Sequence, residues 1–180
     1  MSSWRSDPGQ SAILLVDIQE KLFPTMHQKD TLLTRASVLC QVASILSVPV
    51  YITEQVPEKL GATLSDLKDT CTPEAIWAKQ TFSAHPVLAP AAKVKHWVVA
   101  GIEAHICVRQ TVLDMHQQGH AVTVLADVIT SRHVYDRDQV LAEFRAMGIR
   151  VQTLEALLFE WLETSQHAQF REISRLVRDL

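Results

Sequence analysis

Short apolar runs alternate with longer segments of helical period along this chain. SAILLVDI (11–18) is continuously apolar up to its aspartate, the pattern of a strand buried on both faces. Residues 29–47 then place Leu32, Ala36, Leu39, Ala43 and Leu46 on one helical stripe, with Cys40 bordering it as a packing residue. VPVYIT (48–53) predicts a second strand and AIWAKQ (75–80) a third. Between them, residues 54–73 carry Pro57, Gly61 and Pro73 and are expected to form an irregular surface loop. HPVLAPAAK (85–93) reads as a short helix or turn before a fourth strand, HWVVAG (96–101).

The second half repeats the alternation. Ala104, Val108, Thr111, Val112 and Met115 share a face of a helix over 104–118, closed by Gly119. HAVTVLAD (120–127) is a fifth strand, 136–147 a helix closed by Gly148, and IRVQTL (149–154) a sixth strand. Two helical segments follow, around 154–163 and 167–178. The last carries an apolar stripe of Phe170, Ile173, Leu176 and Val177 that requires a packing partner in its own domain or a neighbour. Alternation of buried strands with helices implies parallel pairing through right-handed crossovers. The expected fold is α/β, a three-layer α/β/α Rossmann-like domain over 11–180, preceded by a polar, flexible tail at 1–10.

Composition narrows the function. The 180 residues suit one full core, and a net charge of −3 with no basic run argues against a nucleic-acid partner. No stretch approaches the length of a membrane span, and the polar start lacks a signal-peptide core. Cys40, Cys71 and Cys107 are odd in number and far apart, so a disulfide framework is not expected and a cytoplasmic location is. The eight histidines show no ligand spacing, so no metal and no cofactor are expected. There is no Gly-rich phosphate loop and no G-x-S-x-G elbow, which disfavours nucleotide binding and serine hydrolysis.

Ligands of an open parallel sheet bind beyond the carboxyl ends of its strands. Three reactive side chains fall there: Asp17 after the first strand, Lys79 at the end of the third, and Cys107 soon after the fourth. Together they suit acyl transfer. A helix N-terminus and a nearby lysine favour a thiolate at Cys107, Asp17 carries the proton to a leaving amine, and Lys79 orients the acid. Backbone N–H groups at the start of the 104–118 helix are expected to bind the oxyanion, each worth about 2.7–4 kcal/mol. His105 is two residues from Cys107 and points elsewhere on a helix, and His133 reads as a loop residue.

LLVDIQEKLF, AKQTFSA, VVAGIEAHICVRQTVLDMHQQGHAVTVLADVITSR and LFEWLETSQHAQF carry a family pattern over most of 12–170. The chain resembles the isochorismatase-like cysteine hydrolases, a family that includes nicotinamidases and other amidohydrolases. GIEAHICV, TEQ and LFEWL resemble its isochorismatase domain-containing protein subgroup. The resemblance implies an Asp17, Lys79, Cys107 triad, a six-stranded parallel sheet, and a cis peptide between Ile102 and Glu103 that serves the oxyanion site. The cysteine points toward amide chemistry and away from vinyl-ether hydrolysis. T-E-Q-V-P replaces the D-x-H metal motif of nicotinamidases, so a metal-independent enzyme is expected. Glu54 and Gln55 are then expected to line the substrate pocket, with Phe23 and Phe82 as apolar walls. The expected protein is a homo-oligomeric cysteine hydrolase of a small amide. The alternative is a catalytically silent binding or redox-sensing module that keeps the fold and a reactive thiol.

Overall fold

The computed structural model describes residues 5–178 and 180. Six strands form one sheet: β1 (Ser11–Val16), β2 (Val50–Gln55), β3 (Ala75–Lys79), β4 (His96–Gly101), β5 (Ala121–Ile129) and β6 (Arg150–Gln152). Their order is β3-β2-β1-β4-β5-β6, every pair is parallel, and the direction of winding reverses between β1 and β4. The fold is therefore the expected three-layer α/β/α domain, with its six-stranded parallel sheet in the middle.

All six residues of β1 are buried because helices cover both faces. Ile13 and Leu15 join the cluster on one face, under α1 (Lys29–Leu46), α6 (Leu154–Leu162) and α7 (Phe170–Arg178). Ala12, Leu14 and Val16 join the other, under α4 (Arg109–Gln117) and α5 (Val134–Ala146). The stripe of the final helix is answered within the chain: Ile173 and Val177 are buried in the first cluster, where α7 packs on α1 and α6.

The segment between β2 and β3 departs from the expected irregular loop. It folds into two short helices, α2 (Pro57–Leu60) and α3 (Ser65–Thr70), with Leu67 fully buried. Helices this short carry too little periodic signal to stand out in the sequence. The part of the expected tail at 1–4 lies outside the described residues. Its remainder is tied to α6, where the Ser6 amide and hydroxyl both donate to Glu160 at 2.8 Å and Trp161 Nε1 donates to the Ser6 hydroxyl.

Candidate active site

The site begins where β1 ends. Asp17 leaves the strand with φ of 52°, and its amide donates to the Thr53 carbonyl, so the carboxylate turns inward at the rim of β1 and β2. Oδ1 accepts from the Thr53 hydroxyl at 2.8 Å and Oδ2 from Lys79 Nζ at 2.6 Å. Both charged side chains are fully buried, so this ion pair is withdrawn from water. Lys79 reaches Asp17 across β2, and its ammonium also donates to Gln55 Oε1 at 2.7 Å and the Phe82 carbonyl at 2.9 Å. Burying such a pair is tolerable only when the remaining donors and acceptors are satisfied, and this network satisfies them.

Cys107 approaches from the other side of the switch point. It lies in a five-residue π-helical segment, Ala104–Val108, that runs directly into α4. Its thiol lies beside the Asp17 carboxylate and the Lys79 ammonium and is only 5% exposed. The three residues expected at separate strand ends are thus brought together, from β1, β3 and the segment after β4.

The charge state expected for the sulfur is not what this setting produces. Burial first, and the Asp17 carboxylate second, push the Cys107 thiol up to about 12; Lys79 opposes them and is outweighed. The resting sulfur is a protonated thiol rather than a thiolate. Its π-helical position also removes it from the first turn of an α-helix, where exposed amides would have favoured the anion.

The peptide bond between Ile102 and Glu103 is cis. The Ile102 amide donates to the Val16 carbonyl and the Ala104 amide to the Thr130 carbonyl, both at 2.8 Å, while Ile106 and Val108 donate to the Glu103 carbonyl. The Glu103 carboxylate accepts from the Arg132 backbone and side chain, which anchors the turn after β5.

The four residues expected to line the pocket have other occupations. Glu54 Oε1 accepts from the Thr63 amide and hydroxyl at 2.7 and 2.8 Å, so its carboxylate pins the loop before α3. Gln55 supports Lys79 and donates through Nε2 to the Gln80 carbonyl. Phe23 is buried in the cluster under α1, on the opposite face of the sheet from Cys107. Phe82 is 52% exposed and meets the network through its carbonyl. His105 bonds Ser131 at 2.9 Å, and His133 is exposed at the start of α5. Among the described residues, no group of three or more His, Cys, Asp or Glu is placed to hold a metal ion, and no helix is long and apolar enough to cross a membrane.

Three supporting residues escaped the sequence reading. Gln19 holds the Gln55 backbone at both ends, accepting from its amide at 2.7 Å and donating to its carbonyl at 3.0 Å. Thr53 fixes Asp17. Thr111 donates to the Cys107 carbonyl at 2.7 Å and accepts from the Ala84 amide, tying the Cys107 segment to the chain after Lys79. A hydroxyl one helical turn beyond Cys107 was the available signal for Thr111. Gln19 and Thr53 had none beyond lying near strand ends.

Comparison with known proteins agrees with this architecture. Bovine isochorismatase domain-containing protein 2 is 33% identical over 180 residues, covering 96% of this chain and 85% of that protein. Isochorismatase domain-containing protein 1 of Danio rerio is 30% identical over 176 residues, but the match spans only 62% of its length. The structure of the MAR1 ribonuclease from Caenorhabditis elegans superposes with a TM-score of 0.91 at 33% identity, covering 97% of this chain and 92% of that one. The YcaC gene product of Escherichia coli, described as an octameric hydrolase of unknown specificity, has the same fold at 19% identity, with a TM-score of 0.83 and coverage of 99% and 97%. The sequence pattern of the isochorismatase domain matches residues 11–156, and with that match the chain belongs to the isochorismatase family of hydrolase folds.

Proposed function

We propose that the protein is a metal-independent cysteine hydrolase that cleaves a small amide-type C–N bond through a thioester on Cys107, with Asp17 and Lys79 completing the catalytic set. The observation that carries this reading is the fully buried Lys79–Asp17 ion pair set against a cysteine thiol at the sheet's switch point.

Because the resting sulfur holds its proton, attack requires a base, and Asp17 is the carboxylate beside it. Asp17 takes the thiol proton as Sγ bonds to the substrate carbonyl carbon. It returns that proton to the nitrogen as the C–N bond breaks and the amine leaves. Asp17 then deprotonates a water that attacks the thioester, releasing a carboxylic acid and restoring the thiol. Lys79 remains bonded to Asp17 Oδ2 throughout and opposes the negative charge that moves between carboxylate, sulfur and oxyanion. The amides of Ile102, Ala104, Ile106 and Val108 are spent on carbonyls; we assign the oxyanion contact to those of Glu103 and Cys107.

A nearly closed thiol and a net charge of −3 favour a small carbonyl substrate over an RNA strand, the substrate class in the name of the C. elegans protein. Exposed Ile76 and Phe82, on and just after the edge strand β3, support a homo-oligomer that covers them. Intact-mass screening against a panel of small amides tests the reading. The expected result is an acyl adduct on Cys107 that hydrolyses with time and is absent from Cys107→Ala. Turnover of any amide at the parental rate by Cys107→Ala overturns it.

A further inference from the structure

The sheet leaves an opening at the carboxyl end of β5. β6 pairs only with Thr123, Val124 and Leu125, so residues 126–129 run on with no strand beside them on that edge among the described residues. α1 lies on one face of the sheet and α5 on the other. Past the end of β6, Leu32 of α1 and Leu141 of α5 line one cavity of about 280 Å³. Asp17, Lys79 and Cys107 do not line it.

Two guanidiniums line this cavity, Arg35 from α1 and Arg137 from α5, against one carboxylate, Asp127. That carboxylate is fully engaged: Oδ2 accepts from Arg35 Nη1 and Oδ1 from the Leu154 amide, both at 2.8 Å. The bond to Asp127 is the sole hydrogen bond Arg35 makes among the described residues. Its Nε is enclosed and has no partner there. Nε and Nη2 project two parallel N–H groups from one edge of the guanidinium, the fork that takes two oxygens of one oxyanion. Buried polar groups are almost always paired, so a charged donor left over beside a cavity calls for an acceptor from outside the chain. Arg137 donates Nε and Nη2 to Asp138 Oδ1 at 3.0 and 2.8 Å. Asp138 is exposed, and water competes for such a pair, so Arg137 is free to turn to a ligand. The start of α1 adds to the positive potential, since Gln28 and Thr31 line the cavity and no side chain caps the helix.

We propose that this cavity binds a small phosphate monoester, with the phosphate held between Arg35 and Arg137. Two phosphate oxygens take the Nε and Nη2 edge of Arg35, and a third takes Arg137. A dianion suits two cations and one already neutralised carboxylate better than a singly charged ligand does. The apolar wall of Leu32, Ile129 and Leu141, and the small volume, limit the rest of the molecule to a few carbon atoms. Thr130 also lines the cavity, and its carbonyl holds the Ala104 amide at 2.8 Å. A ligand here therefore borders the Cys107 segment, and its binding does not depend on the chemistry assigned to that thiol.

Isothermal titration calorimetry of the full chain with inorganic phosphate and with glycerol phosphate, at constant ionic strength, tests the site. The expected result is saturable binding of both, one per chain, with a Kd of about 1 mM or tighter for the ester. Glycerol alone should give no heat of binding. Arg137→Gln leaves the Arg35–Asp127 pair in place and should weaken binding about tenfold, the loss of one charge-assisted contact. Arg35→Lys keeps a cation for Asp127 but lacks the forked edge, and should weaken binding by a similar factor. Cooperative urea unfolding checks that each variant is folded. Absence of saturable binding to the parent overturns the proposal, as does equal affinity in the parent and Arg137→Gln.

Discussion

Gly101 and Val16 touch backbone to backbone: a β-carbon on Gly101 would stand 2.1 Å from the Val16 carbonyl oxygen. The contact lies where β1 and β4 release the segments of the candidate site, Asp17 immediately after one and Cys107 six residues after the other. Gly101 also holds φ of 122°, which a side chain disfavours. Gly101→Ala must therefore push the two central strands apart, since the obstructing atoms are backbone and cannot rotate away. The expected cost is about 3–5 kcal/mol, seen as a fall in the urea midpoint. A loss below about 1 kcal/mol would show that the strands do not depend on this approach.

Lys79 is the only described cation bonded to the buried Asp17 carboxylate. Lys79→Met strands that charge in a dry site, and removing one member of such a pair costs about 3–5 kcal/mol. Adding Asp17→Asn removes the stranded charge, so the double variant should be more stable than the sum of the single effects predicts. Urea unfolding of the four proteins measures the coupling. Additivity within about 0.5 kcal/mol would mean that the two side chains do not depend on each other.

What made this site legible was its position relative to the strands. SAILLV and HWVVAG are buried on both faces and read as unbroken apolar runs, so Asp17 and Gly101 stand out where those runs stop. Lys79 is the charge that ends the apolar run AIWA, in a half-exposed edge strand where it is the one buried residue. The properties that escaped the sequence depend on three-dimensional surroundings. Burial and the Asp17 charge set the protonation of Cys107, and neither is visible from a helix start alone. Glu54 looked available as a pocket wall because its partner, Thr63, lies in a segment whose two short helices left no periodic trace.

The protonated state of Cys107 has a kinetic signature. With its thiol pushed up to about 12, alkylation by iodoacetamide should rise about tenfold per pH unit from pH 7 to 9.5 without a plateau, because the thiolate is the reacting form. Asp17→Asn removes the negative neighbour that helps hold the proton. That variant should alkylate Cys107 faster at a fixed pH while losing turnover on any amide the parent hydrolyses. The rate is followed by peptide mass mapping of Cys107, in a Cys40→Ala/Cys71→Ala background if those sites also react. A plateau below pH 8 in the parent would place the sulfur in the anionic state and remove the need for a base.

The opposite end of the sheet carries an acid-sensitive group unconnected to the site. His96 bonds the Ser11 hydroxyl through Nδ1 and the Thr123 hydroxyl through Nε2, both at 2.9 Å. Burial, and then the nearby Arg150, lower its imidazole from 6.5 to about 4. Between those values the unfolded chain binds a proton that the folded chain refuses, so stability is complete above about pH 6.5 and falls as the pH drops toward 4. The slope contributed is at most about 1.4 kcal/mol per pH unit, and the total loss is on the order of 2–3 kcal/mol. His96→Gln keeps a group that hydrogen-bonds and removes the titration. It should be less stable than the parent at neutral pH and should lose less stability between pH 6.5 and 4.5. Urea unfolding in half-unit pH steps separates the His96 contribution from that of the carboxylates, which both proteins share. Identical slopes in parent and variant would assign the acid sensitivity to those carboxylates instead.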